Sequence, residues 1–119
     1  NTNIVEALGE ITTIVFDKTG TLTDPLAYRL EYSNSVMQDE DWRMLKELSS
    51  HSTHPLSKLI HSNLQEIATG IHMESFQEWK GKGIEGKLNG ADYLLGSAKF
   101  TGVASTKWKN GSVYFRIFP

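Results

Sequence analysis

Asparagine-glycine pairs between short β-forming runs limit the fold of this chain more than any other feature. Asn89-Gly90 separates two such runs, and Asn110-Gly111 precedes another. An Asn-Gly pair favours the two-residue turn of a β-hairpin, because both residues adopt a positive φ at low cost. The candidate strands of this type are Ala27–Ser33, Ser75–Trp79, Ile84–Leu88, Tyr93–Leu95 and Val113–Phe118. The sequence therefore predicts a mostly antiparallel sheet.

Two amphipathic stretches lie between the first of these runs and the others. Apolar residues recur at helical spacing from Trp42 to Leu48, after a predicted N-cap at Asp39. Pro55 suits the first turn of a second helix, which Gly70 is predicted to end. The predicted fold class is α+β, a mostly antiparallel sheet with a helical hairpin packed on one face.

Composition excludes several classes of protein. The chain has 119 residues, enough for one domain, and its net charge of -2 predicts no nucleic-acid partner. The absence of cysteine excludes a disulfide framework and a thiolate metal site. No apolar run approaches the ~20 residues that cross a bilayer. Because the chain starts at Asn1 and stops at Pro119 directly after a strand-like run, we expect it to come from a longer protein.

A carboxylate after an apolar run predicts phosphoryl chemistry. Ile11–Phe16 is apolar nearly throughout and predicts a strand buried on both faces of a parallel sheet. Asp17 follows at its carboxyl end, where it can act as a nucleophile toward phosphorus, and Lys18 adds positive charge. Phosphatases with a similar nucleophile carry a second Asp two positions on, but this chain has Thr19, which cannot activate water. An aspartyl phosphate is therefore expected to persist.

Two further features suit a ligand, although each has a simpler explanation. Pro55 places His54 at a helix N-terminus, where its ring can stack on or hydrogen-bond to an adenine, or can be an ordinary surface histidine. Gly81 and Gly83 allow a backbone to approach a flat ligand or a phosphate, but a tight β-turn explains them equally well.

Taken together, these motifs resemble the P-type ATPases. Asp17–Thr23 resembles their phosphorylation signature. Ser52–Leu56 matches the Ser-x-His-Pro-Leu motif of the heavy-metal branch, which transports copper, zinc or cadmium, and Gly81–Gly83 matches its Gly-x-Gly motif. Gly96-Ser97 stands where that branch has Gly-Asn, and Ser49 stands where it has a Glu that meets the adenine amino group.

The resemblance implies a role for each matched residue. Asp17 would accept the γ-phosphate of ATP, assisted by Lys18 and Thr19, and Asp17 and Thr19 would help to hold Mg²⁺ once the rest of a phosphorylation domain is present. The implied nucleotide-binding residues are His54, Gly81, Gly83, Ser49, Gly96 and Ser97. Because Ser49 and Ser97 replace residues with longer side chains, nucleotide affinity is expected to be weakened by about tenfold or more.

The resemblance also implies a domain organisation. Residues 1–24 would be the first strand and phosphorylation motif of the phosphorylation domain, and residues 25–119 the nucleotide-binding domain. The chain would be a cytoplasmic domain of an integral membrane cation pump, with the phosphorylation, actuator and transmembrane domains of its own polypeptide as partners. The isolated fragment is expected to be inactive, because the strand of Asp17 would lack its sheet.

Two alternatives remain from the sequence. One is a soluble phosphohydrolase of the haloacid dehalogenase-like superfold, against which Thr19 argues. The other is a non-catalytic interaction module, which explains the sheet and helices but not the Asp17 motif or His54-Pro55.

Overall fold

The computed structural model describes five segments of the chain, residues 11–19, 29–32, 37–68, 70–104 and 112–119, with the backbone alone at 18, 19 and 29–32. The strands are β1 Thr12–Thr19, β2 Arg29–Tyr32, β3 Ser75–Trp79, β4 Gly83–Leu88, β5 Ala91–Gly96 and β6 Val113–Phe118. The helices are α1 Asp39–His51, α2 Pro55–Ser62 and α3 Ala98–Thr101. The predicted Asn110-Gly111 turn lies outside the described segments.

The strands form one six-stranded sheet in the order β2-β1-β6-β5-β4-β3, and every neighbouring pair is antiparallel. Asn89 and Gly90 connect β4 to β5 with φ angles of 52° and 81°, and Leu88 pairs with Ala91 across the turn. Positive φ at both central residues is the geometry that an Asn-Gly pair favours. The predicted hairpin and the antiparallel sheet are confirmed.

The first strand differs from its prediction. β1 lies between β2 and β6 and is antiparallel to both, so the parallel pairing predicted for it is wrong, and it does not lack a sheet. Ile14 and Phe16 are buried, whereas Thr13 and Val15 on the other face are half-buried. Because all four residue types suit strands, the composition conceals this alternation. The division of the chain after residue 24 stays a prediction.

The core lies between one face of the sheet and the helical hairpin of α1 and α2. The buried apolar residues of the two helices are Met44, Leu45, Leu48, Leu56 and Ile60, and those of the sheet include Ile14, Phe16, Ile84, Leu95, Val113, Phe115 and Ile117. These side chains recur every three or four residues in the helices and at alternate positions in the strands, as a two-layer fold requires. The predicted α+β class, with a helical hairpin on one face, is confirmed.

The second helix is shorter than predicted. Pro55 is its first residue, as predicted, but it ends at Ser62 rather than near Gly70. Asn63 ends it, because the amide of that side chain donates a 2.8 Å hydrogen bond to the carbonyl of Leu59 and competes with the helical pattern. The next residues form turns.

The third helix covers part of the opposite face. Arg116 of β6 points away from the core, donating hydrogen bonds to the carbonyl of Thr101 in α3 at 3.1 Å and to the hydroxyl of Thr13 in β1 at 2.9 Å. The sheet is therefore covered on both sides where β5 and β6 meet α3. Within the described segments, the helices are all too short or too polar to cross a membrane.

Candidate functional site

A pocket of about 290 Å³ opens where three connections of the fold meet. These are the loop between α1 and α2, the turn between β3 and β4, and the start of α3 after β5. The predicted nucleotide-binding residues that line it are His54, Gly81, Gly83, Gly96 and Ser97. Three motifs that are far apart in the sequence are thus brought together by the strand order.

His54 is the N-cap of α2. Its Nδ1 accepts a 3.1 Å hydrogen bond from the backbone N–H of Leu56, and its own backbone N–H donates to the hydroxyl of Ser52 at 3.2 Å. Since Nδ1 accepts, the proton of the neutral ring is on Nε2. The ring can therefore offer Nε2–H as a donor to a molecule in the pocket.

Gly83 and Gly96 are required by the packing of the backbone around the pocket. They are opposite each other in β4 and β5. A Cβ on Gly83 would lie 2.4 Å from Cδ2 of Phe100 and 2.7 Å from the carbonyl oxygen of Leu95, and a Cβ on Gly96 would lie 2.5 Å from the carbonyl oxygen of Lys82. Both glycines therefore have a structural explanation that does not need a ligand.

Gly81 has a different explanation. Its φ is 78°, which side chains other than glycine rarely adopt, and a Cβ built there would meet nothing within 4 Å. The turn conformation alone therefore favours glycine at this position. The open space beside it is part of the pocket.

Of the two departures from the heavy-metal pattern, only Ser97 lines the pocket. The hydroxyl of Ser97 accepts a 3.1 Å hydrogen bond from the N–H of Phe100, so this side chain caps α3. Ser49 is 1% exposed in α1, and its hydroxyl donates to the carbonyl of Lys46 at 3.0 Å. The structure therefore does not bring Ser49 to the other predicted binding residues.

Asp17 lies close to the same pocket. Its Oδ1 accepts a hydrogen bond from the hydroxyl of Ser112, which lines the pocket. The side chains of Lys18 and Thr19 are outside the described part of the chain, so their roles stay predictions. Among the side chains that are described, no three His, Asp or Glu residues come together to hold a metal ion.

Four further side chains line the pocket, three charged and one aromatic, and none of them was predicted from the sequence to bind a ligand. Glu78, Lys80 and Lys82 line it, as does Trp79, whose ring is tilted at 50° against Phe100 with 5.5 Å between centroids. Lys80 and Lys82 flank Gly81, where exposed lysines on a turn are ordinary, and a tryptophan such as Trp79 is usually a packing residue. No sequence signal indicated Glu78, because a Glu in an edge strand normally faces solvent.

Comparison with known proteins gives a consistent set of relatives. The chain is 34% identical to the cadmium-transporting ATPase of Staphylococcus aureus over 101 residues, which is 80% of this chain and 14% of that protein. It is 30% identical to the cadmium, zinc and cobalt-transporting ATPase of Bacillus subtilis over 99 residues, 82% of this chain and 14% of that protein. It is 28% identical to the copper-exporting P-type ATPase of Legionella pneumophila over 102 residues, 83% of this chain and 14% of that protein.

No family model matches the chain. The chain spans 14% of the length of each of these relatives, so it corresponds to a small share of such a protein. The similarity nevertheless extends over 80% or more of the chain rather than over one short motif. On the strength of this similarity, the chain belongs to the heavy-metal-transporting branch of the P-type ATPases.

Proposed function

We propose that this chain is the ATP-binding part of a heavy-metal cation pump, and that the pocket beside His54 holds the nucleotide. The observation that carries the proposal is the meeting of the α1–α2 loop, the β3–β4 turn and the start of α3 around one pocket. Each motif alone has a structural explanation, but packing does not require that all three also border one open space.

The chemistry of the lining suits an adenine nucleotide. The Nε2–H of His54 is a donor for a ring nitrogen of the base, and Trp79 offers an aromatic face. Lys80 and Lys82 supply positive charge for the phosphates, and Gly81 leaves the backbone accessible beside them. The pocket volume of about 290 Å³ is near the lower end of the range for small-molecule sites.

In the whole pump, Asp17 is proposed to receive the γ-phosphate, forming an aspartyl phosphate during transport of a heavy-metal ion across the membrane. Mg²⁺ would be held by Asp17 and Thr19 together with carboxylates from elsewhere in the polypeptide. The chain alone is expected to form no acyl phosphate with ATP and Mg²⁺, because the other carboxylates for Mg²⁺ would come from elsewhere in the polypeptide and the hydroxyl of Ser112 bonds the Asp17 carboxylate. Detection of a stable acyl phosphate on the chain would refute this.

The proposed binding is tested by titrating the ¹⁵N-labelled chain with ATP and following backbone amide resonances. We expect shifts at His54, Gly81 and Gly83 between micromolar and millimolar ATP, and smaller shifts at Glu66, which lies outside the pocket. A well-dispersed spectrum that does not change at millimolar ATP would refute the proposal. Hydrolysis of an aryl phosphate by the chain would instead favour the soluble phosphohydrolase.

A further inference from the structure

Glu78 is the one acidic residue among the described residues that line the pocket. It belongs to β3, the edge strand, and reaches across to the α1–α2 loop. The backbone N–H of Thr53 donates to its Oε2 at 2.9 Å, and the hydroxyl of Thr53 donates to the same oxygen at 3.3 Å. Glu78 is therefore fixed beside His54, the next residue of that loop.

The two carboxylate oxygens of Glu78 are not equivalent. Oε2 carries both hydrogen bonds from Thr53, whereas Oε1 receives none from any residue in the described segments. A carboxylate oxygen accepts hydrogen bonds and cannot donate them while ionised. Glu78 and His54 both line the pocket, so the lining includes one acceptor that is held in place, Oε1, and one donor that is held in place, the Nε2–H of His54.

We propose that Glu78 is a specificity-determining residue that selects adenine over guanine by accepting a hydrogen bond from the exocyclic amino group of the base. The inference rests on the proposed nucleotide binding and names the group that reads the base. On the edge of adenine that carries N7, the amino group lies beside that accepting ring nitrogen, which matches an acceptor beside a donor. Guanine has O6 in place of the amino group on that edge, so it presents two acceptors and Oε1 of Glu78 would receive no hydrogen bond from it.

The charges of the lining set the orientation of the nucleotide. The carboxylate of Glu78 repels a polyphosphate, whereas Lys80 and Lys82 on the following turn attract it. The base therefore lies on the side of Glu78 and His54, and the phosphates lie toward the lysines. With the opposite orientation, the carboxylate would face the phosphates and the lysines would face an uncharged base.

The test compares the dissociation constants of ATP and GTP for the parent chain and for Glu78→Gln. A Gln can keep the bonds from Thr53 with its carbonyl oxygen, so its amide nitrogen takes the place of Oε1 and offers a donor instead of an acceptor. We expect the parent to prefer ATP and this preference to fall about tenfold in Glu78→Gln, the usual effect of losing one charged hydrogen bond.

Two control variants distinguish recognition of the base by Glu78 from stabilisation of the α1–α2 loop by the same residue. Glu74→Gln makes the same chemical change at a carboxylate that bonds the N–H of Asn89 outside the pocket, and it is expected to leave the preference unchanged. Thr53→Ala removes the hydroxyl bond to Glu78 but keeps the carboxylate. This variant is expected to weaken the binding of ATP and the binding of GTP to a similar degree.

A measurement on the parent chain keeps the inference testable if Glu78→Gln does not fold. N6,N6-dimethyl-ATP lacks the hydrogens that Glu78 would accept, so it is expected to bind the parent about tenfold more weakly than ATP. Equal binding of the two nucleotides would overturn the inference. An unchanged ratio of the ATP and GTP dissociation constants in a folded Glu78→Gln variant would also overturn it. In either case, ATP binding by the parent chain would still support the proposed function. If the parent binds no ATP, both proposals fall.

Discussion

Replacing Gly83 with alanine tests whether the second glycine of the Gly-x-Gly motif serves the fold itself. The added methyl group would lie 2.4 Å from a ring carbon of Phe100 and 2.7 Å from the carbonyl oxygen of Leu95. The Phe100 ring can rotate, but the carbonyl belongs to β5, which is hydrogen-bonded on both sides to β4 and β6. The clash with the backbone therefore cannot be relieved by a side-chain movement.

The expected cost follows from this geometry. Overpacking a well-packed core costs about 1–3 kcal/mol, and a fixed backbone atom on one side places Gly83→Ala at about 3 kcal/mol. The matched control is Gly81→Ala, whose new Cβ meets nothing within 4 Å but whose φ of 78° is unfavourable for alanine. That strain alone costs about 1 kcal/mol. The difference between the two variants measures the packing contribution.

Urea and thermal unfolding of both variants provide the measurement. We expect Gly83→Ala to lower the midpoint temperature by about 10 °C and Gly81→Ala by about 4 °C. Adding Phe100→Ala should reduce the cost of Gly83→Ala by about 1 kcal/mol, because it removes one of the two clashes. If Gly83→Ala unfolds within about 0.5 kcal/mol of the parent, a typical limit for harmless substitutions, the packing explanation is refuted.

Substitutions at three further residues test other parts of the fold. His54→Asn should keep the helix cap, so it should weaken ATP binding but change the free energy of unfolding by less than about 0.5 kcal/mol. His54→Ala should weaken ATP binding and, because the cap is lost, should also lower the free energy of unfolding by about 1 kcal/mol in urea. Burial and then the Asp41 carboxylate raise the pKa of Tyr93 above its usual value of 10.0, so the folded state keeps this proton when the unfolded state loses it. The free energy of unfolding should therefore fall as the pH rises above about 10, and it should fall less steeply in Tyr93→Phe. Urea unfolding at pH 8–11 measures this dependence. The same dependence on pH in both proteins would contradict the role of Tyr93. Lys46→Met should cost about 1–3 kcal/mol, because the buried ammonium donates a 2.6 Å hydrogen bond to the carbonyl of Ile67; no loss in urea unfolding would refute a stabilising role for that bond.

Local chemistry predicted the parts of the fold that neighbouring residues determine. Pro55 fixes the start of α2 and so makes His54 its N-cap, and Asn89-Gly90 fixes the β4–β5 turn. In both cases the deciding interaction joins residues within a few positions of each other. The sequence therefore contained enough information to place a histidine ring at one edge of the pocket.

Long-range pairing decided what the sequence could not predict. The carboxylate of Glu78 finds its partner at Thr53, across 25 positions, and nothing near either residue indicates the other. The direction of β1 depends on β6, about 100 positions away. Ser49 is a different case, because it follows the buried Leu45 by four residues in α1, so the helical period alone would have placed it toward the core.

The position of β6 between β1 and β5 has a consequence for folding kinetics. Because β6, the last of the described strands in sequence, lies in the interior of the sheet, β1 and β5 are linked only when β6 has paired with both of them. Thr12 pairs with Ile117, so this contact closes a loop that contains most of the chain, at a cost in chain entropy. Pairings of such high sequence separation slow folding. The β3-β4-β5 meander would therefore form before β6 pairs with it, and the edge of β5 would stay exposed until then.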